Sequence, residues 1–198
     1  MKLLREFQDF NYDRALLEQS KKEGRFLMRG ICQRADVINQ NGRIYPREIL
    51  EREVLNYQKL IKESRAYGEA DHPERSQVEF SFVSHIVREM SMDRDGIVWA
   101  TIEVFDSPTK GGIIREIANK GGTIGISSRG VGETENNGEA EIVKEWVATA
   151  WDLVCDPSTN SAFMMKESKE FRSNFFKKNL NQSDRIDRIL NDLLSPVK

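Results

Sequence analysis

Asp93-Arg94-Asp95-Gly96 stands between two runs rich in β-favouring residues, Val78–Met90 and Ile97–Phe105, and this stretch decides the fold. A short polar turn ending in Asp-Gly joins antiparallel neighbours, because glycine accepts the positive φ that a tight hairpin demands. In the first run Phe80, Phe82, Ser84 and Ile86 fall on one face of a strand, and Val83, His85 and Val87 on the other. The seed of the molecule is therefore an antiparallel hairpin, with no crossover helix between its strands.

Working outward, Phe26–Cys32 reads as a further buried strand that Ala35–Ile38 continues, and Asn39-Gln40-Asn41-Gly42 reads as a turn. Tyr45-Pro46 opens a helix, with the proline near its first position. Ile49, Leu50, Val54, Leu55, Tyr57 and Leu60 give that helix an apolar stripe. A polar loop from Ala66 to Arg75 follows. Beyond the hairpin, Gly111–Asn119 is a short helix capped by Gly121-Gly122, and Thr123–Ser128 is a strand. Glu133–Glu139 forms an acidic hairpin tip, and Ala140–Val154 is one long strand or a bent pair. The first 24 residues are charged and helix-compatible. In the tail, Ser183 caps a last helix bearing Ile186, Ile189, Leu190, Leu193 and Leu194.

The class is α+β: a small, mostly antiparallel β-barrel or curled sheet with flanking helices, plus helical N- and C-terminal segments. The chain divides into an N-terminal segment (1–24), a central domain (25–165) and a charged tail (166–198). Its 198 residues are 38% hydrophobic and 31% charged, with a formal net charge of −2, so nothing draws it to nucleic acid as its main partner. No run approaches the length of a membrane span, and the N-terminus lacks the apolar core of a signal peptide. Cys32 and Cys155 form no metal-ligand pattern and are expected to be reduced and buried. No metal and no cofactor is expected.

The chemistry concentrates in two motifs. Gly68-Glu69-Ala70-Asp71-His72-Pro73 places one of only two histidines in a constrained, carboxylate-rich loop. Gly125-Ile126-Ser127-Ser128-Arg129-Gly130 carries two serines and an arginine between glycines. A serine nucleophile needs an imidazole to take its proton and donors aimed at the oxyanion, and these residues supply all three. Adjacent residues of a strand face opposite sides, so only one of Ser127 and Ser128 faces the site. Backbone N–H groups at Arg129 and Gly130 lie close to the first serine, and Gly130 permits unusual dihedrals there. Asp152, inside the apolar run Ala148–Val154, needs a partner: an arginine, or the imidazole of His72, which it would orient. Glu69 and His85 are further candidates for that orienting role.

With Ala35-Asp36-Val37-Ile38-Asn39-Gln40-Asn41-Gly42-Arg43-Ile44-Tyr45-Pro46 and Asp152-Leu153-Val154-Cys155-Asp156-Pro157-Ser158, these motifs make four blocks in one order. Together they resemble the prohead core protein proteases of T-even-like tailed phages, over about residues 26–160. The resemblance implies an assemblin-like serine endopeptidase, distantly related to herpesvirus maturation proteases. Carried over motif by motif, it makes Ser127 the nucleophile, His72 the general base and Asp152 the third member. Ser128, Arg129 and Gly130 then surround the oxyanion and substrate. His85 ranks below Asp152, because the phage motif calls for no histidine at that position.

The resemblance further implies action in the procapsid interior, assembled in the host cytoplasm. The substrates would be scaffold or core proteins and the major capsid protein, and the enzyme a homo-oligomer with no membrane or nucleic-acid role. Such enzymes cut after Glu in [L/I]-x-E and cut themselves. Leu4-Arg5-Glu6 and Leu16-Leu17-Glu18 fit that pattern ahead of the predicted barrel, making Glu6 and Glu18 self-cleavage candidates and residues 1–24 a propeptide. The alternative is a non-catalytic ring- or tube-forming virion protein with the same barrel core. A structural subunit has no need of His72 together with Ser127.

Overall fold

In a computed structural model, the described residues are 2–8, 20, 23–106, 110–120, 122 and 124–155. All of them belong to the unit Met1–Lys166. The strands are β1 (Lys2–Gln8), β2 (Leu27–Arg34), β3 (Arg43–Ile44), β4 (Tyr67–Glu69), β5 (Val83–Met92), β6 (Ile97–Val104), β7 (Gly125–Asn136) and β8 (Glu141–Val154), with helices α1 (Arg47–Lys62) and α2 (Lys110–Asn119). Among the described residues they form two four-stranded sheets, ordered β1-β7-β8-β3 and β2-β6-β5-β4. All pairings between these strands are antiparallel except β3 with β8. The class is α+β and mostly antiparallel, as expected, but no ladder among these residues closes a barrel.

The seed hairpin forms as β5 and β6. Gly96 sits at φ +77° and its N–H donates to the Asp93 carbonyl, while Asp93 Oδ1 accepts the N–H groups of Asp95 and Ile97. The second long hairpin, β7–β8, pairs from Gly125↔Val154 to Asn136↔Glu141, with irregularities after Arg129 and after Glu133. A single parallel bridge, Ala70↔Leu153, stitches the loop after β4 onto β8. That bridge brings the two sheets together where the chemistry lies.

Helix α1 buries Ile49, Leu50, Glu53, Val54 and Tyr57. Its Glu53 accepts the N–H of Ala148, and Arg52 donates to the Trp146 carbonyl, so the helix is bonded to β8 as well as packed on it. An aromatic chain runs beneath: Tyr45 meets Trp146 edge-on at 5.1 Å, Trp146 meets Trp151 at 6.1 Å, and Trp151 meets Tyr57 at 4.6 Å. Edge-to-face rings favour each other beyond their area burial.

Several expectations need correcting. Residues 2–8 form a strand, not a helix, because β7 offers them an open row of backbone partners and the core takes Leu4, which is wholly buried. Ala35–Ile38 does not prolong β2: Asp36 turns to φ +58°, and its carboxylate accepts the N–H of Arg47 at the start of α1. Phe80–Phe82 is a 3₁₀ turn, and Phe80 is 84% exposed, so the first hairpin strand begins only at Val83. Leu55 lies off the buried stripe at 70% exposure, and its place is taken by Glu53, whose charge is matched by Arg52. The β7 strand continues through Glu133 to Asn136, so the hairpin tip is shorter than Glu133–Glu139. Cys155 is exposed, whereas Cys32 is buried as expected. The tail helix and Glu18 lie outside the described residues.

Candidate active site

The register of β7 and β8 places Ser127 directly across from Asp152, so their side chains leave the sheet on the same face. The loop after β4 lays an imidazole over that face. Asp71, at φ +68°, donates its N–H to the Leu153 carbonyl, and its carboxylate pairs with Lys110 at 3.2 Å. Aspartate is among the few residues that enter the left-handed region readily. Pro73 then biases His72 toward extended backbone. The outcome is that Ser127 Oγ lies 2.6 Å from His72 Nε2, and His72 Nδ1 lies 3.0 Å from Asp152 Oδ2. Asp152 carries no proton donor when ionised, so His72 Nδ1 bears the hydrogen and Nε2 is left to accept the Ser127 hydroxyl proton. Ser127 and Asp152 are wholly buried.

Behind this line stands a buried charge network. Arg129 Nε lies 2.8 Å from Asp152 Oδ2, and its Nη2 donates to Asp152 Oδ1 at 3.1 Å and to Glu69 Oε2 at 2.9 Å. Its Nη1 donates to the carbonyls of Arg75 and Gln77 at 2.9 and 3.1 Å. Glu69 in turn accepts from Arg75, and its own N–H donates to Asp152 Oδ1 at 3.0 Å. Arg129, Glu69 and Asp152 are all fully buried. One guanidinium therefore joins the carboxylate behind His72 to the loop that carries His72. Two buried carboxylates sharing a buried arginine and several N–H donors escape the cost of unpaired burial.

Both sequence alternatives for Asp152 are realised at once: it has an arginine and an imidazole. Glu69 reaches the site through Arg129. His85 lies under Gly68, and its Nε2–H donates to the Trp151 carbonyl at 2.9 Å, so Nδ1 accepts from the Ser84 hydroxyl. Burial pushes its pKa down to about 4, the imidazole is neutral, and the place beside His72 Nδ1 belongs to Asp152. Ser128 is buried, and its hydroxyl has no partner among the described residues. Gly130 is not in an unusual backbone conformation. A Cβ there would stand 2.2 Å from Trp146 Nε1 and 2.4 Å from the Val147 carbonyl, so close packing is what requires glycine. The role of the Arg129 side chain was missed in the sequence. Its signal was a cation inside the run Gly125–Gly132, whose other residues are apolar or small. Glu6 lies on β1 across from Ser128.

Among the described residues no cluster of three or more His, Cys, Asp or Glu could hold a metal ion, and no described helix is long and apolar enough to cross a membrane. A family model described as the prohead core protein serine protease matches residues 16–173, which include His72, Ser127 and Asp152. The chain belongs to that family. Its similarity to the prohead core protein protease of Enterobacteria phage T4 is 30% identity over 139 residues, which is 68% of this chain and 66% of that relative. Among solved structures it is similar to the bacteriophage T4 capsid assembly protease, with a TM-score of 0.66 and 26% identity over 79% of this chain and 98% of the other. Within this prohead protease family member, strand β1 precedes the matched region.

Proposed function

We propose that the chain is a serine endopeptidase that cleaves scaffold or core proteins and capsid protein inside the phage procapsid during head maturation. The observation that carries this reading is the His72 imidazole held between the Ser127 hydroxyl at 2.6 Å and the Asp152 carboxylate at 3.0 Å. Three distant segments of the chain meet there, which a purely structural role does not require.

The reaction follows from the hydrogen-bond directions. His72 Nε2 takes the Ser127 proton as Oγ attacks the peptide carbonyl, and Asp152 stabilises the imidazolium that forms. The tetrahedral oxyanion is met by backbone N–H groups near Ser127, for which Ser128, Arg129 and Gly130 are the candidates. Losing one such donor costs roughly 10²–10³ in rate. The imidazolium returns its proton to the leaving amine, the acyl-enzyme remains on Ser127, and water admitted through the same base releases it.

For specificity we infer cleavage after Glu in [L/I]-x-E, with self-cleavage included. Of the two self-cleavage candidates Glu6 is favoured, because β1 sets it in the strand next to Ser127 and Ser128. The test is cleavage of a peptide carrying Leu-x-Glu by Ser127→Ala and, separately, Ser128→Ala. The first is inactive and the second keeps measurable activity. Equal loss in both, or loss in neither, overturns the assignment. N-terminal mass spectrometry of active protein checks for a cut after Glu6.

A further inference from the structure

We propose that the cavity between α2 and the adjoining ends of β7 and β8 is a specificity pocket. It takes one branched aliphatic side chain of the substrate, the Leu or Ile that stands two residues before the glutamate at the cut. The inference rests on the peptidase reading and names the groups of the enzyme that choose the sequence to be cleaved.

The cavity holds about 120 Å³. Helix α2 lines it with Ile113, Ile114 and Ile117, and the strand side with Ile124, Leu153 and Val154. An aliphatic-lined cavity of roughly 150 Å³ admits a benzene ring, so this one suits a single aliphatic side chain. Its charged neighbours Lys110 and Asp71 are both partly exposed and pair with each other at 3.2 Å. A rim neutralised in this way favours neither an acidic nor a basic side chain. A charged group brought onto the apolar lining would lose water without gaining a partner.

The helix shows where its apolar surface goes. Ile114 and Ala118 are buried in the core, whereas Ile113 is 57% exposed. Ile113 and Ile117 stand four residues apart, one above the other on a helix face. That face is turned to the cavity and not to the core. An apolar ligand that covers it removes this surface from water, which favours binding in proportion to the area covered.

Position joins the cavity to the chemistry. Asp71 lines it, and His72 is the next residue; Leu153 and Val154 line it, and Asp152 comes just before them. Val154 pairs with Gly125 as Asp152 pairs with Ser127, with no irregularity between the two pairs. Val154 therefore leaves β8 on the same face as Asp152, about 7 Å along the strand. An extended peptide sends every second side chain the same way, at the same interval. A polypeptide with its carbonyl at Ser127 thus places the side chain two residues away in the cavity. That interval is the one between the aliphatic residue and the glutamate in [L/I]-x-E.

Two peptides test the pocket, one carrying Leu-x-Glu and the other Ala-x-Glu at the same place. The parent chain is expected to cleave the first with a kcat/KM at least about tenfold higher, the discrimination that a few methylenes give in an apolar pocket. Ile113→Glu sets a carboxylate at the mouth, and because Ile113 is exposed the fold tolerates it. The preference for Leu over Ala then falls below about threefold, whereas Ile113→Leu keeps it. Damage to the triad would slow both peptides alike and leave their ratio as it was. An Ile113→Glu chain that retains the parent's preference, or a parent that cuts both peptides equally, overturns the inference and leaves the peptidase reading intact.

A second arm needs no cleavage, and it decides the pocket even where neither peptide is cut, a failure that would tell against the peptidase reading. In a Ser127→Ala background, a peptide with a diazirine analogue of leucine in Leu-x-Glu is irradiated with the full chain, and the adducts are mapped by mass spectrometry. Insertion at Ile113, Ile117 or the exposed Cys155 of the lining, competed by excess Leu-x-Glu peptide, supports the pocket. Insertion elsewhere, insertion that the Leu-x-Glu peptide does not compete, or none at all refutes it.

Discussion

Replacing Arg129 with methionine removes a cation of similar reach from the centre of the site. Arg129 is wholly buried, and its guanidinium serves Asp152, Glu69 and the carbonyls of Arg75 and Gln77. In Arg129→Met, Glu69 keeps Arg75 and the N–H of Glu79, and Asp152 keeps the N–H of Glu69 and the His72 ring. Breaking a buried ion pair from one side costs about 3–5 kcal/mol. The two orphaned loop carbonyls add about 1–3 kcal/mol each if water does not reach them. The bonds that both carboxylates retain pull the sum back, and we expect a loss of about 4 kcal/mol. Against a total stability of about 5–15 kcal/mol the variant still folds.

Urea unfolding followed by the fluorescence of buried Trp146 and Trp151 measures the change. With a slope of about 2 kcal/mol/M, the midpoint falls by about 2 M. Peptide hydrolysis falls as well, since the same side chain steadies the carboxylate behind His72 and the loop that presents it. Arg129→Met/Glu69→Gln leaves one buried carboxylate fewer to compensate, so it is more stable than the sum of the single variants implies. A midpoint within about 0.5 M of the parent, or strict additivity in the double variant, refutes the view that Arg129 is the hub of a coupled buried network.

Three further outcomes follow from the same geometry. Gly130→Ala drives a methyl into Trp146 and the Val147 carbonyl and lowers stability by about 1–3 kcal/mol, and an unchanged melting temperature contradicts it. His85 resists protonation in the folded chain down to about pH 4, whereas its ordinary value is 6.5. The unfolded chain therefore binds the extra proton first, stability falls as pH drops from 6.5 toward 4 and levels below that, and the loss is about 3 kcal/mol. Glu103, held down to about 2 by its bonds to Arg25 and Arg88, adds a loss as pH falls from its ordinary 4.5 toward 2. His85→Asn flattens the first part of that profile in chemical unfolding at stepped pH, and an unaltered slope contradicts the assignment. Asp152→Asn exchanges an acceptor for an amide beside His72 Nδ1 and lowers kcat by about 10⁴, the scale seen in Ser-His-Asp triads. A loss below tenfold removes Asp152 from the mechanism.

The residues themselves determined much of this protein. Asp-Gly at 95–96 fixed one hairpin because its conformation is local, and the β-favouring run Ile97–Phe105 told its return strand. The helix after Pro46 and the turn before Gly42 were legible for the same reason: neighbours in sequence suffice to build them. His72, Ser127 and Asp152 were each ordinary alone, and it was their combination as the types serine chemistry needs, in the order of the resembling motifs, that singled them out.

What only the tertiary structure decided concerns partners far apart in sequence. A strand facing Ser127 from residues 2–8 looks helix-compatible by composition, because pairing depends on the edge that β7 offers and not on local preference. The Arg129 side chain, expected only as part of the surround of the oxyanion and substrate, is buried because two carboxylates and two loop carbonyls converge on it. Gly130, expected to serve through unusual backbone dihedrals, is instead a gap for a tryptophan ring. Short-range sterics and hydrogen bonds can be read along the chain, whereas charge pairing, edge pairing and close packing exist only once distant segments meet.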